Sequence, residues 1–216
     1  MQRKKFSRSK RKQSISLEKI FKNQQVVIAS HNPGKVNEFK SLFSKYDIRI
    51  LTSSDINISD VEEVGRSFRK NALIKVQSIP NDFIGISDDS GLCVKSLAGK
   101  PGIYSARFSK KCGGWYKAME KIYEEIKIQK RPDFSAKFFC VIAIKFKNGK
   151  IYTYSGEVKG TLKWPPSGKN GFGYDPFFIP KNFNHTFGEM QHSTKIFNDH
   201  RYVAFRKLIK AHLPCS

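Results

Sequence analysis

Residues 136–160, AKFFCVIAIKFKNGKIYTYSGEVKG, constrain the fold more than any other part of the chain. Two apolar runs rich in β-branched and aromatic residues flank Asn148-Gly149. Asn-Gly between such runs is a strong hairpin signal, because the reversal needs a residue that tolerates positive φ. Two long antiparallel strands follow, so the fold must contain a sheet.

The rest of the chain alternates strands with helices around that hairpin. QQVVIAS reads as a buried strand, HNPGK breaks it as a tight loop, and KVNEFKSLFSKY follows as a helix with Val36, Phe39, Leu42 and Phe43 on one face. IRIL is a second short strand, and VGRSFRKNALIKVQSI is a helix carrying Phe68, Leu73 and Val76. FIGISDD reads as a strand and GLCVKSL as another close by. GWYKAMEKIYEEIK is an amphipathic helix that aligns Trp115, Met119, Ile122 and Ile126. The segment WPPSGKNGFGYDPFFIP is a Pro- and Gly-rich loop that re-enters a strand, and DHRYVAFRKLIKAHL is a last helix. No internal repeat is present. The order predicts an α/β fold, with one long twisted mixed sheet and flanking helices.

Charge and composition narrow the function. There are 40 Lys and Arg against 18 Asp and Glu, a net charge of +22. That excess fits attraction to a polyanion, either nucleic acid or the phosphates of a nucleotide, and equally a lysine-rich solvated surface. The segment MQRKKFSRSKRKQS is basic with interleaved serines, and no acid precedes Glu18. Residues 1–20 are therefore expected to be a disordered extension, with the folded domain over 21–216. An organelle-type targeting role for the extension fits its composition as well, and a nucleic-acid contact, if any, would run through it. No apolar run approaches the roughly 20 residues that span a bilayer, so no membrane association is expected. Cys93, Cys112, Cys140 and Cys215 are far apart, and the five histidines lack metal-ligand spacing. Free thiols in a reducing, cytoplasmic setting are expected rather than disulfides or a zinc site.

Within this basic chain SDDSGL places Asp88 and Asp89 side by side at a strand end. Alternation along a strand allows only one of them to face a given site, leaving the other to cap a turn or support from behind. Glu62 and Glu63 precede a helix, where the field of the helix N-terminus favours them. A carboxylate from each segment suits Mg²⁺, which takes oxygen ligands and keeps several waters, and Mg²⁺ suits a triphosphate. Gly34-Lys35 opens a helix whose backbone N–H groups attract phosphate. This is not a P-loop, since Ala29 stands where its first Gly belongs and Val36 where Ser or Thr belongs. An aromatic beside Gly, as at Phe172-Gly173, stacks on a base while the backbone approaches its edge.

The blocks ASHNPGK..EF, EE.G..F..NALIK, SDDSGL.V..L.G.PGIYSARF, SGKNGFGYDPFFIP, TFGEM and K....HR, taken together, resemble the RdgB-type purine nucleoside triphosphate pyrophosphatases, the inosine triphosphate pyrophosphatase family. The likeness runs from Val26 to Leu208. It implies a homodimer whose subunit has two lobes around a cleft, and Mg²⁺-dependent hydrolysis of ITP, dITP and XTP to the monophosphate and pyrophosphate. It implies further that Ser30, Asn32 and Lys35 hold the triphosphate, with backbone help from the turn that includes His31, Pro33 and Gly34. Glu63 and Asp89 would bind magnesium, and Asp89 would be the catalytic proton acceptor. Ser90 and Lys75 would contact phosphate, while Phe172, Gly173, Tyr174 and Asp175 would form a base pocket completed by Lys195, His200 and Arg201. A buried donor such as Arg201 would read the 6-oxygen of the purine. Three positions depart from the family pattern: Lys70 stands for Glu, Gly188 for Ala, and Asp199 for the Ser before His-Arg. A pyrophosphatase for other modified nucleotides, and a nucleic-acid-binding protein, are the alternatives.

Overall fold

The computed structural model of the protein describes residues 24–46 and 48–212. The basic extension over 1–20, the start of the folded domain at Phe21 and Cys215 lie outside the described residues. The elements run β1 (Gln25–Ile28), α1 (Pro33–Phe43), β2 (Arg49–Thr52), α2 (Phe68–Gln77), β3 (Ile84–Val94), α3 (Ser105–Cys112), α4 (Trp115–Lys127), β4 (Ser135–Lys145), β5 (Ile151–Leu162), β6 (Phe178–Pro180), a single turn α5 (His192–Lys195) and α6 (His200–His212).

The strands form one mixed six-stranded sheet in the order β2-β1-β3-β4-β5-β6. β1 is parallel to β2 and to β3, whereas β3, β4, β5 and β6 are joined antiparallel. The hairpin anticipated at Asn148-Gly149 joins β4 to β5. Only Gly149 takes positive φ there, at 77°, closing a turn in which its N–H donates to the Phe146 carbonyl.

Residues 83–97, read from sequence as two strands, contain a single strand. β3 pairs with β4 without interruption from Gly85 opposite Lys145 to Val94 opposite Ala136. Ser90-Gly91 looked like a break, but Gly91 is needed for another reason. A side chain there would meet the Gly102 carbonyl and Ser105 Oγ, which pack against the strand. Helix α3 was not anticipated, because SARFSKKC is short and offers only Ala106, Phe108 and Cys112 as apolar residues; it begins at Ser105, whose hydroxyl donates to the Gly102 carbonyl and accepts from the Leu92 N–H.

Alternation along β3 and β4 sorts their side chains into two faces. On one face, α1 and α6 cover the first part of β3 and the end of β4 paired with it, burying Phe39, Phe43, Ile86, Ile142, Phe205 and Leu208. Phe43 and Phe205 meet edge to face at 4.9 Å. Farther along the same face, α4 buries Met119, Ile122 and Ile126 against Leu92, Phe138 and Phe178. Each such side chain stabilises the fold by about 1.5–3 kcal/mol through burial. On the opposite face α2 packs Ala72 and Val76 against Val141 and Ala143. The two clusters on the first face are the cores of two lobes, and a cleft opens where the helices of one give way to the other. Among the described residues no helix is long and apolar enough to cross a membrane.

Candidate active site

The cleft holds a cavity of about 280 Å³. All the site residues expected from sequence line it except Pro33 and Gly34. Those two stand behind the wall. Pro33 opens α1 at a position where a missing N–H costs nothing. Gly34 has no side chain because the Phe172 ring packs where its Cβ would lie. A larger groove, of about 630 Å³, lies along the strand ends of the second lobe and is lined by no acidic residue.

One wall is the turn between β1 and α1. Asn32 caps the helix by accepting the Lys35 N–H at 3.2 Å, and its own N–H donates to Ser30 Oγ at 3.2 Å. The cap thus occupies one of the N–H groups that the sequence left open for phosphate. The buried Lys35 ammonium lies 3.3 Å from Asp88. Burial lowers its pKa, against the pull of Asp88. His31 presents one ring nitrogen to Asp60 at 3.3 Å and the other to the Ile58 carbonyl at 3.2 Å. Asp60 also lines the cavity, and sequence reasoning passed over it.

Strand alternation separates the two adjacent acids. Asp88 points to the α1/α6 face, where its Oδ2 accepts from Arg201 Nη2 at 2.8 Å and contacts Lys35. Asp89 points toward α2 and the cavity. Its Oδ2 accepts from Asn71 Nδ2 at 2.9 Å, and its Oδ1 accepts the Ser90 N–H at 2.9 Å. Burial raises the Asp89 pKa to about 6; Lys75 and Lys35 pull it down, and Glu63 pushes it up. Glu63 comes from the segment before α2, held there by Arg107 Nη1, which donates to the Glu63 carbonyl at 3.1 Å. The Glu63 carboxylate pairs closely with the buried Lys75 ammonium. Lys70, one of the departures from the family pattern, is exposed on α2 and does not line the cavity. Its neighbour Asn71 is the residue that reaches Asp89.

The donor set around Glu63 and Asp89 fits a hard cation. Both are carboxylates facing one space, and the charge of Glu63 raises the cost of ionising Asp89. No cluster of three or more His, Cys, Asp or Glu suited to a metal occurs among the described residues. The arrangement therefore suits a cation that keeps most of its water, as Mg²⁺ does, rather than an all-protein cage.

The far wall is the segment from Phe172 to Asp175 with α5 and the start of α6. Gly171 and Gly173 take φ of 73° and 65°, which only glycine adopts cheaply, and this turns the Phe172 ring into the cleft. Asp175 Oδ2 accepts the Phe172 N–H at 2.8 Å and lies 3.1 Å from Lys195 Nζ. Tyr174 is buried against the edge of Trp115, with its hydroxyl 3.3 Å from the Ser105 carbonyl. His200 stacks on Phe138 at 4.8 Å, and burial, then Lys195, lower its pKa to about 3, so it is an uncharged imidazole.

Behind these walls lies a buried ion network that the sequence did not announce. Arg201 is fully buried. It pairs closely with Glu38 on α1, and its Nη2 donates to Asp88 and, at 3.0 Å, to Ser90 Oγ. Its terminal amines are thus engaged by protein, and its Nε has no partner. Lys195 pairs with the same Glu38. Glu38 was detectable in principle: it sits beside Phe39 and four positions before Leu42 on the apolar side of α1, where a lone carboxylate needs a partner.

Residues 26–211 match the Ham1 family. A protein named dITP/XTP pyrophosphatase from Christiangramia forsetii is 41% identical over 189 residues, 86% of this chain and 97% of its own length. Its namesake in Bacillus subtilis is 35% identical over 191 residues, covering 87% and 96% of the two chains. Among solved structures, a HAM1 protein from Coxiella burnetii superposes with a TM-score of 0.78 at 31% identity, over 87% of this chain and 98% of that one. The Ham1 protein of Staphylococcus aureus superposes with a TM-score of 0.74 at 34% identity, over 86% and 96%.

Proposed function

Because the chain belongs to the Ham1 family, we propose that its cleft is the active site of a nucleoside triphosphate pyrophosphatase for non-standard purines. The enzyme hydrolyses dITP and XTP, the substrates in the names of its relatives, and ITP, which carries the same base as dITP, to the monophosphate and pyrophosphate, and so clears them from the nucleotide pool. One observation carries this reading: Glu63 and Asp89, from separate segments, face a single cavity between the phosphate-binding turn and the Phe172–Asp175 wall.

Water attacks the α-phosphorus. A bond from its oxygen to phosphorus forms as the bond to the oxygen bridging to the β-phosphorus breaks, and pyrophosphate leaves. Asp89 takes the proton lost by the water. Its raised pKa of about 6 keeps it ionised at neutral pH yet basic enough to accept that proton. Lys35, Lys75, Ser30 and Ser90 line the path of the triphosphate and donate to its oxygens, stabilising charge on the leaving group. Glu63 and Asp89 would hold Mg²⁺, which neutralises phosphate charge when bound. At the other end Phe172 and Tyr174 enclose the purine. Two donors line that end: the Lys195 ammonium, and Arg201, whose Nε has no protein partner; either suits the 6-oxygen of hypoxanthine or xanthine.

A panel of ITP, dITP, XTP, ATP, GTP, dUTP and dTTP with Mg²⁺, read by pyrophosphate release, tests the assignment. Turnover confined to the first three is expected; preference for a pyrimidine would replace the substrate class. Asp89→Asn should lower kcat by about 10²–10⁴-fold, the usual contribution of a positioned base, with the urea midpoint little changed. A variant with wild-type rate removes Asp89 from the chemistry.

A further inference from the structure

The departure at residue 199 has a physical consequence. Asp199 is fully buried and caps α6, its Oδ1 accepting the Tyr202 N–H at 2.8 Å. A serine would serve that cap equally well. The second oxygen, Oδ2, does something a serine cannot. It has no hydrogen-bond partner and lies 3.7 Å from Lys195 Nζ, just outside bonding distance.

Lys195 therefore faces three carboxylates, those of Glu38, Asp175 and Asp199. Along the connected network, Glu38, Asp88, Asp175 and Asp199 stand against Lys35, Lys195 and Arg201. The surplus is one negative charge, and the orphaned oxygen of Asp199 marks where it falls. Lys195 itself lines the cavity at the end enclosed by Phe172, with its ammonium 5.1 Å from the centre of that ring. A base in that pocket thus meets an ammonium already over-neutralised from behind.

Hypoxanthine is neutral at physiological pH. Xanthine is not: its second carbonyl makes a ring N–H acidic enough to ionise near neutrality. We propose that Asp199 is a specificity-determining residue that tilts this pocket toward hypoxanthine nucleotides and against xanthine nucleotides, by placing an uncompensated carboxylate behind Lys195. This rests on the reading of the cleft as a purine triphosphate site and names the preferred base within it. Two charges about 7 Å apart at an effective dielectric of about 20 shift an equilibrium by one to two orders of magnitude, so the effect is within reach of kinetics. Burial raises the Asp199 carboxyl above its usual range; Lys195 and the N–H groups at the start of α6 oppose this, and Asp175 reinforces it. The charge on Asp199 and the charge on xanthine thus develop over overlapping pH ranges. Of the other groups near Asp199, Arg201 stays cationic, His200 stays neutral and burial holds the Cys140 thiol protonated, while burial raises the Asp175 carboxyl as well, against the pull of Lys195.

The test is kcat/KM for ITP and for XTP with Mg²⁺ between about pH 5 and about pH 8.5, on the wild type, Asp199→Asn and Asp199→Ser. Both substitutions keep an oxygen to cap α6. In the wild type the ITP-to-XTP ratio should climb with pH. In both variants it should fall about tenfold or more near pH 8, mainly through a lower KM for XTP. A ratio unchanged in both variants, or equal losses on the two substrates, overturns the role of Asp199 while leaving the hydrolase standing. Pyrophosphate release from neither substrate by the wild type removes both together. If neither variant folds, calorimetry on the wild type decides: binding of xanthosine monophosphate must weaken relative to inosine monophosphate as pH rises, and a constant ratio refutes the inference.

Discussion

His200 carries a pH dependence of stability whose sign follows from its burial. Its pKa falls from the ordinary 6.5 to about 3 in the folded chain. Below 6.5 the unfolded chain takes up a proton that the folded chain refuses, so His200 favours folding above that value and progressively less as pH falls toward 3. The slope contributed approaches about 1.4 kcal/mol per pH unit. Asp89 and Asp199 act with the opposite sign, because their raised pKa values let the folded state bind protons more tightly over the same window. The difference between wild type and His200→Gln isolates the histidine. Urea midpoints between about pH 6.5 and about pH 4.5 should fall more steeply for the wild type, and parallel curves would refute a neutral buried imidazole.

At the scale of elements, α6 delivers both His200 and Arg201, and it reaches the sheet only because Gly156 interrupts the side chains of β5. A Cβ at Gly156 would strike the His200 carbonyl and the Ala204 N–H, backbone atoms that cannot turn aside. Gly156→Ala should lower the unfolding free energy by about 1–3 kcal/mol and weaken catalysis by displacing the Arg201 anchor; a urea midpoint and kcat/KM like those of wild type would deny α6 this close seat. Such elements were largely legible in the sequence. β1, α1 and the β4–β5 hairpin declared themselves by period and by Asn148-Gly149. Both acids of β3 were separated correctly by alternation alone. What escaped was long-range: Glu38 meets Arg201, and Asn71 meets Asp89, through contacts that no local pattern encodes. Helix α3 escaped because it is only two turns long, with few apolar residues, and its anchor is the hydroxyl of Ser105.

The whole molecule carries a net charge of +22, and this field acts on association as well as on substrate. We infer a homodimer, as the family likeness implies, and two such copies repel. The Debye length shrinks from about 30 Å at about 0.01 M salt to about 8 Å at about 0.15 M. Sedimentation of the 24.8 kDa chain should therefore return twice that mass at the higher ionic strength and a lighter average at the lower. A single-chain mass at both concentrations would exclude the pairing. β3, β4 and β5, of 11, 11 and 12 residues, run unbroken beneath both clusters of the core. The halves of the molecule thus share a single backplate of continuous strands. Two parts of the cleft wall lie off that backplate and owe it nothing: the segment carrying Glu63, and the glycine-flanked Phe172, whose ring is seated on Gly34.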